Sequence, residues 1–346
     1  MATTRGGVTG RRGLLASGLG GLAAAALPGH AARARAPLQP DTVAQAVAAA
    51  HRHFAGLREG KNADYIPYLA SVPSDLYGVV AVAPDGGVAK AGDVGYAFSI
   101  QSICKVFNMA LVLESIGPEA LLRRVGSEAT GLPFNSVMAL EMHRGKPQNP
   151  LVNAGAIATV SLVPAASTEE RWSRILGNMS RCAGRQLDVN DQVYHSEMDT
   201  NQRNRGIAWL LRAREFLEGD PDATVDLYTR ACSVAVTTQD LGMMMGTLVR
   251  GGVNPATGER VFKTENVPRI LSVMATAGLY DSTGSWMFRV GVPAKSGVGG
   301  GIIAGMPGRL ALAAFSPPLD DFGNSVRAQA AIGEIAAATA LNLFED

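Results

Sequence analysis

The stretch from Asp41 to Gly60 has an Ala/Val-rich interior and predicts a helix, with Asp41 placed to cap it and Gly60 to stop it. Between Leu76 and Ala91 the apolar runs shorten around Asp85-Gly86-Gly87, the signal of a β-hairpin. Helical character returns over Ser99 to Glu114, where Ile103, Phe107, Met109, Ala110, Val112 and Leu113 supply apolar faces. Helices and polar loops then continue to about Gly251, with a further helix near Asn266 to Ala277. Phe288 to Ala304 and Arg309 to Phe315 read as strands, and Gly305, Met306, Pro307 and Gly308 supply the turn between them. Asn324 opens a final Ala-rich helix running to about Leu343. Strands near both ends around a helical middle predict an α/β lobe (about 37–115 and 250–346) with a helical lobe (about 116–249) inserted into it.

Residues 1–36 follow a different pattern. Arg11 and Arg12 precede Leu14 and Leu15 and an apolar Gly/Ala-rich run of 14 residues ending at Leu27. That run is shorter than the roughly 18 residues a membrane span requires. Pro28 ends it, and Ala32-Arg33-Ala34 offers a small-x-small cleavage site. The segment is expected to be a twin-arginine-type export signal, which would place the protein in the periplasm or outside the cell. The competing expectation is an Ala/Arg/Gly extension on a cytoplasmic protein. No later segment reads as a membrane anchor.

Charge sharpens this division. The formal net charge of the 346 residues is +1, but Arg5, Arg11, Arg12, Arg33 and Arg35 all precede the first acidic residue, Asp41. Without those five, 26 basic side chains face 30 acidic ones. A mildly acidic body without a basic run argues against nucleic acid as a partner. Three cysteines, Cys104, Cys182 and Cys232, are too few and too scattered for a disulfide framework. His51, His53, His143 and His195 form no helical ligand pair, so neither a metal site nor a cofactor is expected.

Two segments carry candidate chemistry. Ser102 and Lys105 are three residues apart, so on a helix they share a face. A serine hydroxyl becomes a nucleophile when a base takes its proton, and a lysine serves if an apolar site disfavours its charged form. Alone the pair means little, since about one S-x-x-K is expected by chance in such a chain. Downstream, Lys295-Ser296-Gly297 is followed by Val298 and three glycines. Serine hydrolases of the penicillin-binding and β-lactamase kind pair S-x-x-K with K-[ST]-G. Backbone free of side chains there lets a substrate carbonyl approach N–H donors, as an oxyanion hole requires. The third signature of those enzymes, S-x-N or Y-x-N, is absent, as is G-x-S-x-G.

With these features the chain resembles the serine-dependent glutaminases, which share the β-lactamase-like fold. The resemblance rests on Ala63-Asp64-Tyr65-Ile66-Pro67, the Ser102/Lys105 segment, and Asn149-Pro150-Leu151-Val152-Asn153-Ala154-Gly155-Ala156-Ile157. It continues through Ser196-Glu197 to Arg203-Asn204, Leu227-Tyr228 ahead of Cys232-Ser233, Tyr280-Asp281, and Pro293 to Gly301. Ser316-Pro317-Pro318-Leu319-Asp320 and Gly323-Asn324-Ser325-Val326 complete it, so it covers nearly everything after Asp41.

The resemblance implies an α+β fold of the β-lactamase/transpeptidase type, with a mixed, mostly antiparallel sheet, flanking helices and the inserted helical lobe. It implies hydrolysis of L-glutamine through an acyl-serine, with Ser102 as nucleophile, Lys105 as base and Tyr280 relaying a proton to the leaving ammonia. The N–H groups of Ser102 and Val298 would hold the oxyanion. Tyr65, Asn153, Glu197, Asn204 and Tyr228 would surround the amino-acid end. The chemistry is coherent, since glutamine's α-ammonium needs a carboxylate and its α-carboxylate needs amide or hydroxyl donors. A homo-oligomer, often a tetramer, is also implied. A β-lactamase-like acyl hydrolase and a catalytically silent amino-acid-binding protein are the alternatives. Cys104 departs from the family's usual serine and, about 200° around the helix from Ser102, is expected to pack in the core.

Overall fold

The computed structural model describes residues 37–345, so the expected export signal lies outside the described residues. Seven strands occur among them: β1 (Gly78–Val82), β2 (Val88–Gly92), β3 (Phe98–Ser99), β4 (Ala235–Val236), β5 (Ala294–Ser296), β6 (Gly301–Met306) and β7 (Leu310–Phe315). Five form one sheet in the order β2-β1-β7-β6-β5, and β3 pairs with β4 in a separate ribbon. Every pairing is antiparallel.

Alternation along the strands divides the interior in two. Val80, Val82, Ile303, Ala311, Ala313 and Phe315 join the helix Thr238–Val249 through Leu241, Met244, Met245 and Leu248. Val79, Ala81, Ile302, Ala304, Leu312 and Ala314 face the helices Pro40–Phe54 and Val326–Ala338. With both faces covered, β1 and β7 are apolar at every position, while the edge strand β2 keeps Lys90 and half-exposed positions. Burial of each Leu or Ile side chain contributes about 1.5–3 kcal/mol.

The middle of the chain is helical, from Pro118–Arg124 through Pro221–Cys232. At its heart lies Cys104–Ile116, apolar on nearly every side, which identifies a core helix and not a surface one. It packs against Asn153–Ser161 and Thr168–Ala183. Cys104 is fully buried, with Sγ 3.8 Å from Cys232 Sγ, and all three cysteines are free thiols.

Three expectations need correction. The first helix is Pro40–Phe54; Asp41 lies in its first turn and Gln39 occupies the cap position, because Pro40 already supplies helical φ. The helix ends well before Gly60, since Lys61 is drawn into pairing with Leu319. The region around Phe288 is helical (Thr283–Val290), with strand beginning only at Ala294. Trp286 there is buried with its indole donating to Val292 O at 2.7 Å, while Phe288 is 92% exposed. An aromatic-rich run imitates strand composition, and the buried indole anchors it as a helix.

Candidate active site

The predicted nucleophile sits where ribbon becomes helix. Ser99 ends β3, Ile100 N–H donates to Val234 O at 2.9 Å, and one 3₁₀ turn (Gln101–Ile103) leads into Cys104–Ile116. The helix therefore begins after Ser102, not at Ser99 as its apolar spacing suggested. Gln101 adopts φ 51°, a left-handed conformation that costs a non-glycine residue on the order of 1–3 kcal/mol. Ser102 is 7% exposed and Lys105, in the next turn, is fully buried. Lys105 Nζ donates to Asn153 Oδ1 at 2.7 Å and Leu151 O at 3.3 Å, and lies about 6 Å from the Phe134 and Tyr228 ring centres. Burial lowers its pKa to about 8, against the opposing pull of Cys232, Cys104 and Glu197. A neutral amine spends its two N–H groups on those acceptors and keeps one lone pair for an incoming proton. Among the described residues Lys105 has no direct hydrogen bond to Ser102; the Tyr280 hydroxyl lies near enough to the serine for Ser102 to lower its pKa.

The loop before Asn153 supplies the acceptors. Asn149 Oδ1 accepts from the N–H groups of Leu151 (2.9 Å) and Val152 (3.1 Å), and its Nδ2 donates to Glu128 O at 2.7 Å. That turn aims Leu151 O and the Asn153 side chain at Lys105. The helix Asn153–Ser161 starts so close to this loop that a Cβ on Gly155 would lie 1.8 Å from Asn149 O. Because backbone meets backbone, the clash has no side chain to yield. Gly155→Ala should therefore cost at least about 3 kcal/mol, measured as a Tm about 5–10 °C lower in a thermal melt; an unchanged Tm would show that the loop relaxes freely.

The opposite wall is the Lys295-Ser296-Gly297 strand. A Cβ on Gly297 would sit 2.8 Å from Ile100 O and 3.3 Å from Ser102 N, so only glycine lets this strand lie against the nucleophile's turn. Among the described residues the N–H groups of Ser102 and Val298 have no protein acceptor. Both remain available to a ligand oxygen. Lys295 is fully buried, donates to Ser296 O at 2.6 Å and stands 4.2 Å from the centre of the Tyr280 ring. Burial, then the nearby Lys105, pushes its pKa well down. Tyr280 has φ 52° and donates to Ser296 O at 3.4 Å; burial raises its pKa, opposed by its hydrogen bonds with Ser102 and Ser296.

Above Ser102 opens a cavity of about 180 Å³ lined by Tyr65, Gln101, Ser102, Asn153, Glu197, Asn204, Tyr228 and Val298, with Phe134 and Arg203. Glu197, on the helix Asp191–Met198, is 8% exposed and accepts from Gln101 Nε2 at 3.3 Å. Burial raises its pKa to about 7, moderated by that hydrogen bond and by Lys105. Asn153 Nδ2 donates to Asn204 Oδ1 at 3.0 Å, and the Tyr228 hydroxyl donates to Asn153 Oδ1 at 3.4 Å. Tyr65 stands half exposed at the mouth. Among the described residues no group of three or more His, Cys, Asp or Glu is arranged to hold a metal.

A family model described as glutaminase matches residues 60–344. A glutaminase of Mycobacterium ulcerans is 53% identical over 302 residues, which span 87% of this chain and 94% of that protein. Glutaminase 1 of Escherichia coli is 51% identical over 308 residues, covering 89% and 99%. A solved structure of a probable glutaminase, ybaS, superposes with a TM-score of 0.88 at 50% identity, over 89% of this chain and all of that one.

The chain belongs to the glutaminase family.

Its helices on an antiparallel sheet form the α+β, β-lactamase-like fold that the resemblance implied. Seven of the glutaminase candidates, Tyr65, Ser102, Asn153, Glu197, Asn204, Tyr228 and Val298, line one cavity. Lys105 and Tyr280 are not among its lining residues; Lys105 is tied to it through Asn153, and the Tyr280 ring packs 4.6 Å from that of the lining residue Phe134. Sequence reasoning did not single out Gln101, which holds Glu197, or Phe134, whose ring lies 4.6 Å from that of Tyr280. Gln101 is the immediate neighbour of Ser102, the one signal that could have drawn attention to it. Lys295 was noticed only as part of a motif.

Proposed function

We propose that the chain hydrolyses L-glutamine to L-glutamate and ammonia through a γ-glutamyl ester on Ser102. Neutral Lys105 takes the Ser102 proton as Oγ attacks the side-chain amide carbon. The amide oxygen gains charge opposite the free N–H groups of Ser102 and Val298. Collapse breaks the C–N bond, and the proton taken by Lys105 reaches the departing nitrogen by way of the Tyr280 hydroxyl, which leaves the amine neutral again and Tyr280 still protonated. Water then attacks the ester, Lys105 accepts its proton, and glutamate leaves with the Ser102 hydroxyl restored. One observation carries this reading: Ser102, with its own N–H and that of Val298 unpaired, lines a pocket containing a buried carboxylate, and a buried, pKa-lowered amine lies one turn further along the chain, bonded to Asn153 of the same pocket. An ammonia-release assay with glutamine tests it, and release at the blank rate would refute it.

The α-ammonium of glutamine pairs with Glu197. Replacing it by Glu197→Gln leaves that cation facing a neutral amide, and KM should rise by about 30- to 1,000-fold with a smaller effect on kcat. Steady-state kinetics read the split, and an unchanged KM would remove Glu197 from recognition.

The pH dependence follows from two groups that must each lose a proton. Glu197, at about 7, must be ionised to bind the ammonium, and Lys105, at about 8, must be neutral to accept one. Both conditions make kcat/KM rise with pH, steeply below about 7 and more gently to about 8, before levelling. The measured profile should lose the lower step in Glu197→Gln. A profile falling between pH 6 and 8 would contradict both assignments.

We also read residues 1–36 as an export signal and the working enzyme as a homo-oligomer, a tetramer. The twin arginines, short apolar run and A-x-A site support the first. The resemblance to the glutaminases supports the second. N-terminal sequencing of the natural protein and light scattering of the purified enzyme test them; an intact N-terminus and a monomeric mass would overturn each in turn.

A further inference from the structure

The Gly323-Asn324-Ser325-Val326 motif contributes nothing to the pocket, yet Asn324 is fully buried beside the machinery. Asp320 builds its platform. The Asp320 carboxylate accepts from the N–H groups of Phe322 (3.0 Å) and Asn324 (2.9 Å), and the Asp320 N–H donates to Asn324 O at 2.8 Å. From this turn the Asn324 amide reaches three points at once. Its Oδ1 accepts from the Ser296 hydroxyl at 2.5 Å, and its Nδ2 donates to Ser282 Oγ at 3.0 Å and Leu279 O at 3.4 Å. The Leu279 carbonyl can only accept, so it fixes which end of the amide faces which way.

Those partners surround one residue. Leu279 and Ser282 flank Tyr280, and Ser296 O accepts from the Tyr280 hydroxyl. Tyr280 holds a left-handed φ that a tyrosine does not adopt unaided, and its hydroxyl is anchored to protein backbone by a single long bond. The neighbourhood must therefore fix both the backbone turn and the strand opposite. Asn324 joins the two, because an amide offers an acceptor on one side and donors on the other. Aspartate would set an acceptor against Leu279 O, and alanine would leave Ser296, Ser282 and Leu279 without their common partner.

We propose that Asn324 is a positioning residue: by clamping the Ser296 strand to both flanks of Tyr280 it sets the Tyr280 hydroxyl at Ser102. This rests on the reading of Tyr280 as the proton relay. A double-mutant cycle on the full chain separates the two ideas. Asn324→Ala and Asn324→Asp should each lower kcat about 30- to 100-fold with KM within about threefold, as expected for a reacting group displaced by less than about 1 Å. In a Tyr280→Phe background, which has no hydroxyl to position, the same changes should cost under about threefold. Equal losses in both backgrounds would overturn the proposal, because Asn324 would then act elsewhere. A Tyr280→Phe enzyme with full kcat would overturn the relay reading and the proposal with it, and that single mutant identifies which failure occurred. Should the Asn324 variants not fold, Ser282→Ala removes only one arm of the clamp. It should lower kcat about three- to tenfold in the parent and not in Tyr280→Phe, and equal losses would again refute the assignment.

Discussion

Ser102→Ala should lower kcat for glutamine hydrolysis by at least about 10⁴-fold while the protein keeps its Tm. Alanine occupies less space than serine at a position that is 7% exposed, so no clash arises and only one hydroxyl is lost. What remains is a pocket that binds glutamine and polarises its amide with two N–H groups but has no oxygen to attack with. Nucleophile and base act as a unit, so adding a Lys105 substitution to Ser102→Ala should lose little more. Glutamine binding measured by calorimetry should persist in Ser102→Ala. Turnover within tenfold of the parent would remove Ser102 from the chemistry.

Replacing Lys105 should be nearly as damaging, and the choice of replacement separates charge from basicity. Lys105→Met keeps the volume of the buried stem and removes the base; kcat should fall by about 10³-fold or more. Some stability should go with it, since Asn153 Oδ1 loses its 2.7 Å donor. Lys105→Arg retains a cation and hydrogen-bond donors but cannot give up its proton at any working pH. If the lysine acted only as a fixed charge, arginine would rescue part of the rate. A base predicts instead that the arginine enzyme is as inactive as the methionine one and shows no rise in residual activity through pH 8. Assays of both variants across pH decide between these roles.

Legibility of the fold depended on how local its causes were. The β1–β2 hairpin around Asp85-Gly86-Gly87 appears where the pattern placed it; β6 begins only at Gly301 and runs through Met306 into the expected turn, and the last helix is shorter than its Ala-rich run, Val326–Ala338 against an expected Asn324 to about Leu343. Ser99 to Ile103 misled, because the apolar spacing continues a helix while Phe98 and Ser99 pair with Val236 and Ala235, distant in sequence. The same holds for Gln101, which has a positive φ and lies against Gly297 and Gly299, some two hundred residues away in sequence. Side chains at the site were legible where a motif and a chemical need coincided, as for Glu197 opposite an ammonium. They were hidden where the role is to hold another side chain. Asn324 and Phe134 show this, since nothing in their immediate sequence says what they touch. The expected Ser102–Lys105 contact also resolves differently, with Asn153 and Leu151 holding the amine.

The central claim is that a γ-glutamyl group rests on Ser102 during turnover. An activated γ-glutamyl ester makes acylation fast, so the intermediate should accumulate. Acid quenching in the first turnovers, followed by mass spectrometry of the intact and digested protein, should find one glutamyl group per active chain on the peptide containing Ser102, alongside a matching burst of released alcohol. The adduct should be absent from Ser102→Ala. Turnover of the ester without burst or adduct, or an adduct on another residue, would contradict the account.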